Sequence, residues 1–222
     1  TLGREGSDYT ASIIAFCADA SEVVIWKDVP GVFNADPRIF PEAKLISELS
    51  YYDAIEQAYY GASIIHPKTI KPLQNKQIPL RVRSFIDLNQ PGTLISESFL
   101  PESAPTYILK SKQTVLSISP FDFSFIAEEH LSDIFHLLHE YRVKVNLMQN
   151  SALNFTVCMN VEGMAFEKLK TALGKIFRIR YNEECTLMTI RHYTEELFQR
   201  FSAGKEIILE QRSRNTVQFV YR

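Results

Sequence analysis

Three short segments in the first third of the chain carry residue types suited to holding anions. The first, Thr1-Leu2-Gly3-Arg4-Glu5-Gly6-Ser7-Asp8-Tyr9-Thr10-Ala11-Ser12, is a glycine-flanked polar turn that runs into the apolar stretch Ile13–Phe16. Glycine lets backbone N–H groups approach an anion closely, and Ser7 and Asp8 are good N-caps for the helix that should follow. A helix N-terminus beside an arginine, here Arg4, is a ready site for a carboxylate or a phosphate.

The second segment reads as a buried strand, Val23 to Trp26, followed by Lys27-Asp28 and a polar loop with two proline turns, ending at Asp36-Pro37-Arg38. An Asp at the carboxyl end of a strand in an α/β sheet lies where ligand contacts tend to gather. The third, Tyr60-Gly61-Ala62-Ser63-Ile64-Ile65-His66-Pro67, follows a helix expected to start near Ser50, with Ser50 and Asp53 at capping-box spacing.

The elements that would position these residues are those of an α/β protein. The chain has 222 residues, 45% hydrophobic and 23% charged, with a net charge of -2, which argues against disorder and against a polyanion-binding surface. No apolar run approaches the ~20 residues that span a bilayer and no signal peptide is visible, so a cytoplasmic protein with no membrane or nucleic-acid partner is expected. Cys17, Cys158 and Cys185 lie in apolar stretches without metal spacing and are expected to be buried free thiols.

Strands are expected at Ile78–Phe85 and Leu94–Ile95, and the Ser- and Pro-rich stretch from Ser96 reads as a linker. Beyond it come a strand at Val115–Ser119, a helix marked by Ile126, Leu131, Ile134, Phe135, Leu138 and Tyr141, and strands at Val143–Leu147 and Phe155–Met159. A helix through Met164, Leu169, Leu173 and Ile176 and a strand at Arg178–Tyr181 complete a β-α-β-β-α-β order, the ferredoxin-like arrangement. Further strands are expected at Thr186–Ile190, Ile207–Gln211 and Thr216–Tyr221.

Taken in order, the three segments resemble those of the aspartokinases, ATP-dependent members of the amino-acid-kinase family. That family carries Thr-Leu-Gly-Arg-Gly-Gly-Ser-Asp, then Thr-Asp-Val-x-Gly-x-x-x-x-Asp-Pro-Arg, then Gly-Ala-x-x-x-His-Pro. The second half resembles the ACT regulatory modules that follow the kinase domain. The resemblance implies an α/β fold, the C-terminal part of an amino-acid-kinase three-layer sandwich followed by ferredoxin-like ACT domains. The expected divisions are a kinase part at 1–97, a linker at 98–106, an ACT domain at 107–183 and an abbreviated second ACT-like unit at 184–222. The family's Lys-Phe-Gly-Gly segment, whose Lys is thought to stabilise the transferring phosphoryl group, has no match here. The chain is therefore expected to be part of a longer enzyme and a poor catalyst alone.

The resemblance also assigns roles. Arg4, Ser7 and Asp8 fall where the family contacts L-aspartate, Arg4 and Asp8 being the catalytic candidates, with Glu5 replacing a usual Gly. Arg4 suits a carboxylate because guanidinium binds it bidentately; the competing reading is a turn that Arg4 and Asp8 merely cap and pair. Lys27, Asp28, Phe33, Arg38, Ser63 and Ile64 fall in the ATP-contacting positions. Lys27 replaces a Thr, Phe33 a common Tyr, and Ser63 a common Lys; Arg38 has the alternative of a surface ion pair with Asp36 or Glu42. ATP and Mg2+ are the implied cofactors, and no protein metal site is expected: His136 and His139 are read as a solvated helix face, and His66 as structural.

In the regulatory half, Phe123, Ile126, Leu131 and Asn146 fall near the family's effector site, although the first three also read as core. Asn146 stands where an Asp is frequent, which removes a partner for an effector's ammonium group. Lysine is the first expected effector, with threonine and no effector as alternatives. A homodimer through strands such as Val143–Leu147 is expected, and a stand-alone amino-acid-sensing module without kinase activity is the alternative function.

Overall fold

The computed structural model describes residues 6–62, 64–97, 104–122, 124–161 and 163–222. They form two compact units, residues 1–108 with 190–193 and residues 109–189 with 194–222.

The first unit comprises α1 (Gly6–Cys17), β1 (Val23–Lys27), β2 (Glu48–Ser50), α2 (Tyr51–Tyr60), α3 (Pro67–Asn75), β3 (Leu80–Ser84) and β4 (Thr93–Ser96). Its sheet runs β1-β3-β4-β2, with β1 parallel to β3, β3 antiparallel to β4 and β2 parallel to β4. Strand β3 alternates buried Leu80, Val82 and Ser84 with half-buried Arg81 and Arg83, and helices cover the buried face through Ile70 and Leu73. Ser7 and Asp8 lie inside the first turn of α1 rather than capping it, because the helix already starts at Gly6.

Two caps fix the helices that follow. Ser50 Oγ accepts from Asp53 N at 3.0 Å and donates to Asp53 Oδ2 at 2.8 Å. His66 Nδ1 accepts from Lys68 N at 3.1 Å, with Pro67 supplying a preset first-turn φ. His66 is thus a structural cap, as its setting in the sequence suggests. Replacing Ser50 with Ala should lower the stability of this unit by about 1 kcal/mol, read as a shift in the urea midpoint at unchanged slope.

The second unit comprises most of β5 (Thr106–Ser119), α4 (Glu128–Glu140), β6 (Lys144–Asn150), β7 (Phe155–Asn160), α5 (Gly163–Leu173), most of β8 (Arg178–Arg191), α6 (Glu195–Ser202), β9 (Ile207–Arg212) and β10 (Thr216–Tyr221). Its strands are ordered β6-β7-β5-β8-β10-β9. The first four, in chain order β5-α4-β6-β7-α5-β8, give the ferredoxin-like arrangement, and β9 and β10 extend the sheet as an antiparallel pair.

Both faces of the central strands are buried. Leu116, Ile118, Val157 and Met159 pack against α4 and α5 through Ile134, Leu138, Phe166 and Leu169. Val115, Cys158, Cys185, Leu187, Leu209 and Val220 form a second cluster.

The sequence reading makes β5 too short and splits β8 at residues 182–185. Each is one strand of 14 residues, interrupted by a residue in the left-handed region, Lys112 (φ 54) and Glu184 (φ 56). That local break hides the continuity of the alternation. Helix α6 is absent from the sequence reading; its Thr194 cap accepts from Leu197 N at 3.3 Å, and Phe198 is its one buried residue. Cys17 is exposed, a correction, while Cys158 and Cys185 are buried and all three are free.

Candidate functional site

Asp8 and Lys27 bring the first two sequence segments together. Asp8 sits in the first turn of α1, where the helix dipole favours a carboxylate, and Lys27 ends β1. Lys27 Nζ donates to Asp8 Oδ2 at 2.7 Å, with the two side chains 28% and 13% exposed. The pair is shielded enough for its attraction to exceed that of a surface pair and open enough for a ligand to reach it. Ser7 is exposed beside it. Arg4 lies outside the described residues.

The loop after β1 is pinned rather than free. Val32 N donates to Thr93 Oγ1 at 2.8 Å, and that hydroxyl donates to Ile46 O at 2.6 Å, so one buried threonine of β4 ties both arms of the loop. Gly31 allows the approach, since a Cβ there would come within 2.5 Å of Thr93 Oγ1. Phe33 bridges Leu45 across the arms and is half-buried, and Asp28 is exposed at the end of β1.

At the loop tip Arg38 Nε and Nη2 donate to the Asp36 carboxylate at 3.0 and 2.7 Å, and Arg38 N also donates to Asp36 at 2.9 Å. These bonds from Arg38 hold the Asp36 carboxyl below the usual carboxylate range. The ion pair and the phosphate-facing role are compatible, because Arg38 keeps a largely exposed guanidinium with donors to spare.

Ser63 lies outside the described residues. Ile64 is partly buried and packs against the core of this unit, so its side chain has a structural place. Ile64 and Ile65 line a cavity of about 20 Å³ with Val32, Leu49, Gln57 and Ile95. Gln57 Nε2 donates to Thr106 Oγ1 at 3.3 Å, while its buried Oε1 has no partner among the described residues.

The most buried charged cluster of this unit is one that sequence reasoning missed. Arg191 donates to Asp53 Oδ1 at 2.6 Å through Nη2 and to Glu56 Oε2 at 2.5 Å through Nη1. His192 Nε2 lies 2.9 Å from the same Asp53 oxygen. Burial pushes the Asp53 carboxyl up, but hydrogen bonds from His192, Arg191 and Ser50 outweigh it and hold the group below its ordinary range. The local signal was only the capping spacing of Ser50 and Asp53; nothing near Arg191 in the sequence points to so distant a partner.

In the second unit, Ile126 and Leu131 pack against the helix-side core, and Ile126 N donates to Ala152 O at 2.9 Å. Asn146 instead bonds Lys110 and Gln113. Phe123 lies outside the described residues. His136 and His139 are exposed on α4, and among the described residues no three His, Cys, Asp or Glu side chains gather as metal ligands. Among those residues, too, no helix is long and apolar enough to cross a membrane.

Residues 1–84 match the amino acid kinase family. Lysine-sensitive aspartokinase 3 of Escherichia coli (strain K12) is 30% identical over 217 residues, covering 93% of this chain and 47% of that protein. E. coli aspartokinase III in complex with lysine and aspartate superposes with a TM-score of 0.82 at 27% identity, over 99% of this chain and 52% of that one. Its complex with aspartate and ADP gives 0.80 at 26% identity, over 100% and 53%. The chain spans about half the length of these relatives.

Proposed function

From homology to the aspartokinases along nearly its whole length, we propose that this chain serves an aspartate kinase. The reaction transfers the ATP γ-phosphate to the side-chain carboxylate of L-aspartate, giving 4-phospho-L-aspartate and ADP, the entry step to lysine, threonine and methionine synthesis. The observation that carries this reading is the Asp8–Lys27 pair, which joins the two motif segments at the carboxyl end of β1. The structure of a relative bound to aspartate and ADP supports it.

The chemistry asks little of the protein beyond placement and charge. The aspartate side chain is already a deprotonated nucleophile, so no general base is needed. Arg4 and Ser7 hold the substrate carboxylate and Asp8 its ammonium group, while Lys27, Asp28, Phe33 and Arg38, with the backbone at Ser63 and Ile64, hold the nucleotide. The donor set fits: Lys27 is half-shielded and Arg38 keeps free N–H groups, both suited to phosphate oxygens. Mg2+, when bound, neutralises and orients those oxygens.

The second unit serves as an ACT regulatory region, its ferredoxin-like part followed by α6, β9 and β10 as an abbreviated second unit. Lysine or threonine is its effector. Among the described residues strand β6 pairs only with β7, which leaves an edge for a homodimer. The alternative, a sensing module without kinase activity, draws support from the second unit's own packed core.

Calorimetry on the chain separates these readings. Mg-ATP should bind saturably, and Lys27→Met should weaken it at least tenfold. Saturable lysine or threonine binding without ATP binding, in a folded sample, would favour the sensing module and overturn the nucleotide site.

A further inference from the structure

The second unit contains a polar chain on the face of its sheet that carries Val115, Cys158 and Leu187. Lys110 Nζ of β5 donates to Asn146 Oδ1 of β6 at 2.8 Å, and Asn146 Nδ2 donates to Gln113 Oε1 at 2.7 Å. Gln113 is 1% exposed, and its own Nε2 donates to Ser111 O at 2.9 Å. The thiol of Cys158, on the intervening strand β7, lies 3.9 Å from Gln113 Oε1.

Asn146 reaches this network because β6 slips register there: Val145 pairs with Met159 and Leu147 with Cys158, leaving Asn146 as the extra residue of a bulge. Bulges beside binding sites re-aim side chains in this way.

The charge of the network is not balanced. Lys110 is half-buried and has no acidic partner among the described residues. Burial, with the nearby Lys144 ammonium adding repulsion, pushes its pKa down to about 8. Among the described residues two of its three N–H groups and one N–H of Asn146 have no acceptor, so this end of the network offers donors only. A half-buried cation without a counter-ion is costly, and an anion seated on it removes the cost.

We propose that Lys110, with Asn146 and Lys144, forms a binding site for a small oxyanion, a carboxylate or a phosphate. Its charge preference is opposite to that of a site for a lysine side chain. The inference rests on the second unit alone and stands or falls independently of the kinase reading.

The test titrates the full chain with sodium succinate and, separately, with sodium phosphate at constant ionic strength. Calorimetry is read alongside the Lys110 ammonium pKa, followed by NMR of side-chain-labelled lysine. One of the two anions should bind saturably, raise that pKa, and lose at least tenfold in affinity in Lys110→Met but not in Lys168→Met, an exposed position of α5. Which anion saturates identifies the ligand class. Asn146→Asp, which supplies Lys110 with an internal counter-ion, should abolish binding and serves as the check if Lys110→Met does not fold. Absence of saturation by both anions in the folded chain, or binding undiminished in Asn146→Asp, overturns the proposal.

Discussion

Arg191→Met should destabilise the first unit by about 3–5 kcal/mol, because it strips the guanidinium from the buried Asp53 carboxylate and leaves His192 and Ser50 to hold it. Arg191 is 3% exposed and Asp53 9%, so water cannot take over the lost bonds. The loss should depend on pH in a definite direction. The folded Asp53 carboxyl is held below its ordinary range, so its contribution is fully present above the unfolded pKa of about 3.9 and fades as pH falls towards the folded value. In Arg191→Met the carboxylate has lost its guanidinium partner, and protonation relieves it. The stability gap between the two proteins should therefore narrow below about pH 4. Urea midpoints measured from pH 3 to 7 check this; a gap that stays constant or widens on acidification would show that Arg191 acts by packing. Replacing Asp53, Glu56 and Arg191 together with apolar residues should be far less harmful than removing Arg191 alone, since no charge is then stranded.

The second large effect concerns catalysis. In the complete enzyme, Lys27→Met should lower kcat by about 10²-fold, the scale found when a preorganised donor to developing charge is removed. On the proposed kinase reading Lys27 is given this weight because Ser63 stands where the aspartokinase motif commonly has a lysine. The Asp8 partner makes the experiment discriminating. Asp8→Asn should raise the KM for aspartate more than that for ATP, whereas Lys27→Met should act chiefly on the nucleotide side. Equal effects of both single variants and of the double variant on kcat alone would mean that the pair is a structural clamp.

Much of this was legible in the sequence where the signal is local. Val23 to Trp26, Phe155 to Met159 and the apolar spacing of α4 and α5 announced themselves by period, and Ser50 by its cap spacing. The β-α-β-β-α-β order followed from those elements. What stayed hidden depends on long-range contact. The continuity of β8 through the left-handed Glu184, the salt bridge from Arg191 to Asp53, and the bulge that turns Asn146 towards Lys110 leave no periodic trace. At the candidate site, motif spacing named Asp8 and Lys27 separately, but only the fold makes them partners. Ile64 is named by its place in a motif for its backbone groups, while its partly buried side chain packs against the core.

The two sheets differ in how far apart in the chain their strands lie, and this bears on the order in which they assemble. Strands β6 and β7 are joined by a short turn, with Asn150 opposite Phe155, so their ladder closes locally and needs little loop entropy. Strand β1 has no such neighbour: Val23 must wait for Leu80, after two helices and another strand have been laid down between them. Parallel pairing at that distance is slow. The β1–β3 ladder, whose end carries Lys27, is thus expected late on the folding path, so that the Asp8–Lys27 pair should form only after the β6–β7 hairpin has closed.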